Sequence, residues 1–248
     1  MSTERQENND GGNKEVILTR PTPQWMAGVW EIGGEMGFDY YTKKGHVYVY
    51  PRMSVTDNDV ETSQYLDYHY PSQRDLLHRG NSWQWIREGG NVVDITKIMY
   101  PYVVRRKSIV EAFIAWGGTN SRDRRVAIAD DFNTQQPEVI DSRDYYQLLE
   151  DRSFIAGIVD SRGRVYRHKD TGYDNFFPQF AVNSDNLMLL LALQHSYGGK
   201  CYTNLKYDES GKEKSHSHSW AIENQRDINK LLEMLTGYLR LPNRFALE

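Results

Sequence analysis

The stretch Met26-Ala27-Gly28-Val29-Trp30-Glu31-Ile32-Gly33-Gly34 recurs in the second half of the chain as Ile155-Ala156-Gly157-Ile158-Val159-Asp160-Ser161-Arg162-Gly163. Each copy has an apolar residue, Ala-Gly, two apolar residues, an acid, two further residues and a closing glycine. Glycine inside a helix costs about 1 kcal/mol relative to alanine, so something must offset it. Small residues let two helix backbones approach closely. A duplicated Ala-Gly helix therefore predicts that the two copies pack on each other across a pseudo-two-fold axis. Gly34 and Gly163 are placed to end the helices and turn the chain into a strand.

The sequence that follows each copy is also similar. After the first come strand patterns at 37–41 and 46–52. In the second of these, His46, Tyr48, Tyr50 and Arg52 alternate with Val47 and Val49, as on a half-buried strand. A helix is expected within 59–78. Segments 83–87 and 92–95 flank Glu88-Gly89-Gly90-Asn91 and read as a hairpin. Residues 105–116 read as a helix with Ile109, Val110, Phe113 and Trp116 on one side. After the second copy, 164–168 and 176–183 read as strands. Ser184 is placed to cap a helix through Tyr197, ended by Gly198-Gly199. Segments 200–207 and 217–223 read as a hairpin. Asn224 or Asp227 starts a helix with Ile228, Leu231, Leu232 and Leu235 at helical spacing. The unit is helix, two strands, helix, two strands, helix, used twice: a first half over 15–118 and a second over 143–248. The polar segment 119–142 is the expected linker, and 1–14 is expected to be a disordered tail.

Bulk composition narrows the class. The 39% hydrophobic and 26% charged content is that of an ordinary globular protein. The longest apolar run, 187–193, is too short to span a bilayer. A single cysteine, Cys201, excludes an intramolecular disulfide and a cysteine-based zinc site. An intracellular monomer with no membrane association is expected. The net charge of −4 counts against a large basic footprint, although phosphates sense local rather than total charge.

The two nine-residue segments resemble the paired motifs of the LAGLIDADG homing endonucleases. The ββαββα succession after each, and Tyr100-Pro101-Tyr102-Val103-Val104-Arg105-Arg106-Lys107 ahead of a helix, extend the resemblance over most of the chain. It implies an α+β fold of two pseudo-symmetric αββαββα units, with two antiparallel sheets forming a saddle around the motif helices. It also implies double-stranded DNA along that saddle, read by side chains on the open strand faces. One acid per half, at the eighth motif position, would bind the divalent metals that cut the strands.

The eighth residues here are Gly33 and Arg162. Glu31 and Asp160 stand two residues earlier, roughly 200° away around a helix. A shifted register that made them catalytic would misplace both Ala-Gly pairs and both closing glycines. A guanidinium at the metal position repels a cation; Arg162 would instead meet a DNA phosphate or an acid of the partner helix, such as Glu31. The expectation is a nucleic-acid-binding relative without nuclease activity, with no metal site and no cofactor. Two alternatives stand beside it. One is an active nuclease using Glu31 and Asp160 with Mg²⁺. The other is a structural or RNA-binding component of a larger ribonucleoprotein assembly.

Candidate nucleic-acid contacts are Tyr48, Tyr50 and Arg52 on one strand face, and Lys200, Tyr202, Asn204 and Lys206, which alternate with Cys201, Thr203 and Leu205. Arg105, Arg106, Lys107, Arg162 and Arg164 would lie near the saddle centre. The second half has Arg240-Leu241-Pro242 where the first has its basic run, and it lacks a counterpart of the final helix. Other clusters have plainer readings. His216 and His218 lack a third ligand for a metal. Trp83, Trp85 and Trp220 suit a core better than base stacking. Arg122–Arg125 reads as a solvated loop, and Gly117-Gly118 as flexible punctuation with no phosphate-loop lysine after it.

Overall fold

The computed structural model describes residues 19–57, 60–71, 76–80, 82–136, 138–169, 176–207, 213–241 and 245. The expected tail at 1–14 lies outside them. The first part of the chain runs α1 (Pro23–Gly33), β1 (Gly34–Lys43), β2 (His46–Asp57), α2 (Val60–His69), β3 (Leu77–Arg79), β4 (Ser82–Glu88), α3 (Gly90–Met99), α4 (Lys107–Gly117) and α5 (Arg122–Thr134). The second runs α6 (Arg152–Arg162), β5 (Gly163–Lys169), β6 (Phe176–Ser184), α7 (Leu187–Tyr197), β7 (Lys200–Tyr207), β8 (Glu213–Ile222) and α8 (Gln225–Leu235).

The motif helices form because their ends are capped. Thr22 accepts from the Trp25 N–H ahead of Pro23 in α1, and Asp151 accepts from the Ser153 and Phe154 N–H groups in α6. Both then pass through glycine into extended backbone at Gly34 and Gly163. The glycines between are required by contact. A Cβ on Gly28 would sit 2.1 Å from the Phe154 carbonyl oxygen, and one on Gly157 would sit 2.0 Å from that of Trp25. The Ala-Gly pairs therefore bring α1 and α6 together backbone to backbone, and this contact offsets their poor helix propensity.

Each motif helix leads into one sheet. The first has strand order β1-β2-β4-β3 and the second β5-β6-β8-β7, all antiparallel. Lys44 and Gly45, both at positive φ, close the β1–β2 hairpin. Equivalent positions carry equivalent anchors. Trp85 pairs with Val55 and donates to the Tyr70 carbonyl; Trp220 pairs with Val182 and donates to that of Gly198. Val49, Met53 and Val55 of β2 are buried under the helices, which leaves the alternate residues on the open face. The result is the expected α+β architecture of two pseudo-symmetric sheets around paired central helices.

Four local expectations are corrected. Residues 92–95 are helical, not a strand. Gly89, at φ 74°, stands at the N-cap of α3, and Val92, Val93, Ile95, Thr96 and Met99 are buried at helical spacing. Short strand β3 stands at the sheet edge where no strand was expected. Arg122–Arg125 is not a loop. It opens α5, capped by Ser121, and lies over the helix-covered side of β2 with Ala129 buried beside Val49, Val93 and Trp116. Arg125 stacks over Trp116 at 4.1 Å. Finally, Asn186 rather than Ser184 caps α7 through the Leu189 N–H. The Ser184 hydroxyl donates across the molecule to the Ile32 carbonyl at 2.7 Å. Among the described residues no counterpart of α4 follows α8.

Candidate nucleic-acid interface

The acids at the sixth motif position are wholly buried. The Glu31 carboxylate accepts from the N–H groups of Val104, Arg105 and Arg106 at 2.9, 3.1 and 3.2 Å, and from the Tyr145 hydroxyl at 2.7 Å. The Asp160 carboxylate accepts from the N–H groups of Arg240 and Leu241 at 2.7 and 3.2 Å, and from the Trp25 indole at 2.8 Å. Each acid pins the backbone beyond the helix that follows the last β-strand of its own half, and takes one more donor from across the pseudo-dyad. A buried carboxylate costs several kcal/mol in lost hydration, offset here by charge-assisted hydrogen bonds. Burial, then the Glu31 charge, pushes the Tyr145 hydroxyl well above its usual range, so it stays a donor.

Further contacts join the halves around the same helix ends. Asn186 donates to the Glu31 carbonyl, and Thr62 to that of Asp160. Neither Tyr145, Asn186 nor Thr62 is distinguishable by residue type from an ordinary cap or core tyrosine.

At the eighth position, the Arg162 side chain reaches across the dyad and donates from Nη2 to the Gly33 carbonyl at 3.1 Å. A Cβ on Gly33 would lie 2.1 Å from the Arg162 Nε. The expected pairing of Arg162 with Glu31 gives way to this carbonyl contact, because the Glu31 oxygens are already taken by backbone donors. Mg²⁺ requires oxygen ligands, usually including a carboxylate. Gly33 supplies no side chain, Arg162 supplies a positive charge, and Glu31 and Asp160 face backbone donors. These residues do not fit the metals that the resemblance implies. Among the described residues, no group of three or more His, Cys, Asp or Glu converges as a metal site.

The other arginines near the centre are engaged. Arg105 forms a bidentate pair with Asp185 at 2.7 and 2.8 Å, and this hydrogen bonding holds the Asp185 carboxyl below the usual carboxylate range. Arg164 reaches Asp57 of the first sheet at 2.7 Å. Arg106 donates to the Gly34 carbonyl at 2.7 Å, and burial, with Arg105 nearby, lowers its pKa. Lys107, the first residue of α4, is exposed.

The open sheet faces carry the remaining candidates. On the first, Tyr41 stacks on Tyr48 at 5.0 Å and lies 5.6 Å from Tyr50, and Arg52 pairs with Asp39 at 3.0 Å. On the second, Lys200 and Tyr202 both bond Glu223, at 2.7 and 2.6 Å, and Asn204 donates to Ser219 at 3.3 Å. The side chains of Lys206 and His216 lie outside the described residues. His218 is buried against the Thr203 hydroxyl. Trp85 and Trp220 are in the core, and Trp83 stacks on His78.

The backbone as a whole matches LAGLIDADG homing endonucleases of known structure. The I-SmaMI enzyme bound to cleaved DNA aligns with a TM-score of 0.57 and 16% identity, over 89% of this chain and 84% of that one. I-GzeII in complex with its DNA target aligns at 0.58 and 13%, over 88% and 84%. I-AabMI bound to uncleaved DNA aligns at 0.56 and 13%, over 88% and 84%. The chain has the LAGLIDADG homing endonuclease fold. No protein-family model matches its sequence, and no curated protein does. Within the LAGLIDADG fold, the Gly33–Arg162 contact falls at the eighth motif position of both halves, where the resemblance calls for the catalytic acids. No helix among the described residues is long and apolar enough to cross a membrane.

Proposed function

We propose that this protein binds double-stranded DNA along the open faces of its two sheets as a monomer, with halves at 15–118 and 143–248, and does not cleave it. Support for binding comes from the LAGLIDADG fold, whose relatives above were solved on DNA. The absence of cleavage rests on one observation: Arg162 lies over Gly33 where the acids should converge. Tyr48, Tyr50, Arg52, Lys200, Tyr202 and Asn204 contact the duplex from the strands. Arg106, Lys107 and Arg162 meet phosphates near the centre, while Arg105 and Arg164 hold the halves together through Asp185 and Asp57. The active-nuclease alternative is disfavoured, since Glu31 and Asp160 are buried and bonded to backbone N–H groups.

A second reading has one observation in its favour. The Tyr41-Tyr48-Tyr50 group is a stacking platform suited to unpaired bases, as an RNA or ribonucleoprotein partner would offer. Mobility-shift titration with random duplex, single-stranded DNA and RNA, in Mg²⁺ and followed by a denaturing gel, tests both. The proposal expects a shifted, uncut duplex. Preferential retention of RNA favours the second reading, and cut duplex favours an active nuclease.

A further inference from the structure

We infer that the open face of the second sheet reads A·T base pairs, through the amides of Gln179, Asn183 and Asn204 set around a floor of Ala181 and Ala221. This rests on the duplex-DNA reading above and gives the class of sequence that this half selects.

The strand registers bring these residues together. Ala181 of β6 is the direct partner of Ala221 of β8, and Asn183 is the partner of Ser219. Ser219 is in turn the partner of Tyr202 on β7, two residues before Asn204. The two short side chains leave a concavity of about 420 Å³ in the sheet face, and none of the side chains lining it is charged. Ser219 donates to the Asn183 side-chain oxygen, and Asn204 donates to Ser219. That chain of bonds fixes the amides but uses only part of their capacity. The Asn183 N–H₂ and the Asn204 oxygen keep theirs, and so does the Gln179 amide.

An amide that offers one donor and one acceptor matches the major-groove edge of adenine, which presents the N7 acceptor and the N6 donor. The paired thymine presents a C5-methyl, which suits an apolar floor. Guanine, with two acceptors, calls for an arginine or lysine instead. Neither described cation of this face lines the concavity: Lys200 pairs with Glu223 and Arg164 with Asp57. Residues two apart on one strand are about 6.8 Å apart, close to two base-pair rises of 3.4 Å. Gln179 to Asn183 therefore spans roughly four base pairs.

The first sheet differs at the same positions. Gly34 pairs with Val55 and Gly163 with Val182, so Arg52, Ser54 and Thr56 stand where the second sheet has Gln179, Ala181 and Asn183. The two halves then select different sequences, and the target is not a palindrome.

The test is selection of bound duplexes from a randomised pool with the full chain, followed by fluorescence anisotropy on the selected duplex. The expected result is a block of roughly four to six base pairs, at one end of the site, enriched in A·T. Gln179→Ala and Asn183→Ala should each weaken binding about tenfold and relax preference within that block alone. With wild-type protein, deoxyuridine for thymine or 7-deazaadenine for adenine in the block should also weaken binding. A duplex bound without A·T preference in any block, or with G·C selected there, overturns this inference and leaves the DNA reading standing. Retention of no duplex overturns both.

Discussion

The Arg162 guanidinium lies against Gly33 of the opposite motif helix, with 3.1 Å between Nη2 and the Gly33 carbonyl oxygen. The two positions are complementary. Gly33 carries no side chain, and Arg162 fills the space beside it, since a Cβ on Gly33 would overlap the Arg162 Nε. Glycine in one half and arginine in the other thus form a single packed contact.

Restoring acids tests this contact. Gly33→Asp alone should gain no Mg²⁺ affinity, because the new carboxylate would pair with Arg162. Gly33→Asp combined with Arg162→Asp removes that charge, places one carboxylate in each half, and should give a measurable binding isotherm for Mg²⁺ or Ca²⁺ by calorimetry. An equal isotherm from the single variant would show that Arg162 does not control the site.

Gly28 and Gly157 should tolerate nothing larger. Gly28→Ala drives a methyl into the Phe154 carbonyl and should cost about 3 kcal/mol or more in urea unfolding. Gly28→Asp adds an unpaired buried charge and should prevent folding. Gly37→Ala, on the open sheet face with nothing within 4 Å of the added methyl, is the control and should change stability little. If Gly28→Ala unfolds at the same midpoint as wild type, the close contact of α1 and α6 is wrong.

Glu31 acts as a structural acceptor. Glu31→Ala leaves three backbone donors and the Tyr145 hydroxyl without it and should destabilise by about 3–5 kcal/mol. Hydrogen exchange should show α4 loosened first, because the segment leading into that helix is what Glu31 holds.

The Arg105–Asp185 pair sets a pH signature. Arg105 depresses the Asp185 pKa below its ordinary 3.8. A carboxylate with a depressed folded pKa contributes its full stability above the unfolded value, and that contribution is lost as pH falls through the folded one. Asp185→Asn should therefore cost stability at pH 7. The difference from wild type should vanish below the folded pKa. Asp185 is largely exposed, so the effect at pH 7 should be about 1 kcal/mol or less. Urea midpoints of both proteins from pH 7 down to pH 3 measure it.

Much of this architecture was legible in the sequence because periodicity and repetition are local signals. The motif helices, the β1–β2 and β5–β6 strands and the Asn224 cap follow from spacing, turn residues and capping chemistry. The Val92-Val93-Asp94-Ile95 run misled because β-branched residues after Gly-Gly favour a strand locally, whereas burial against the core selects α3. Helix α5 was hidden by its polar composition, although Ser121 as cap and Val126, Ala129 and Phe132 at three-residue spacing carried its signal. At the site, the departures at Gly33 and Arg162 were readable, but their contact was not. It joins residues 129 positions apart, and no local pattern encodes such a distance. The same holds for Arg105 with Asp185 and Arg164 with Asp57.

The central claim is duplex binding that neither needs nor leads to metal chemistry. It is tested most directly by anisotropy on a selected duplex at constant ionic strength, titrated with Mg²⁺, with the same sample then run on a denaturing gel. Affinity should be unchanged by Mg²⁺ and fall steeply with added monovalent salt, and the strands should stay intact. Mg²⁺-dependent nicking that disappears in Glu31→Gln or Asp160→Asn, with the variants still folded, would contradict it and identify those acids as catalytic.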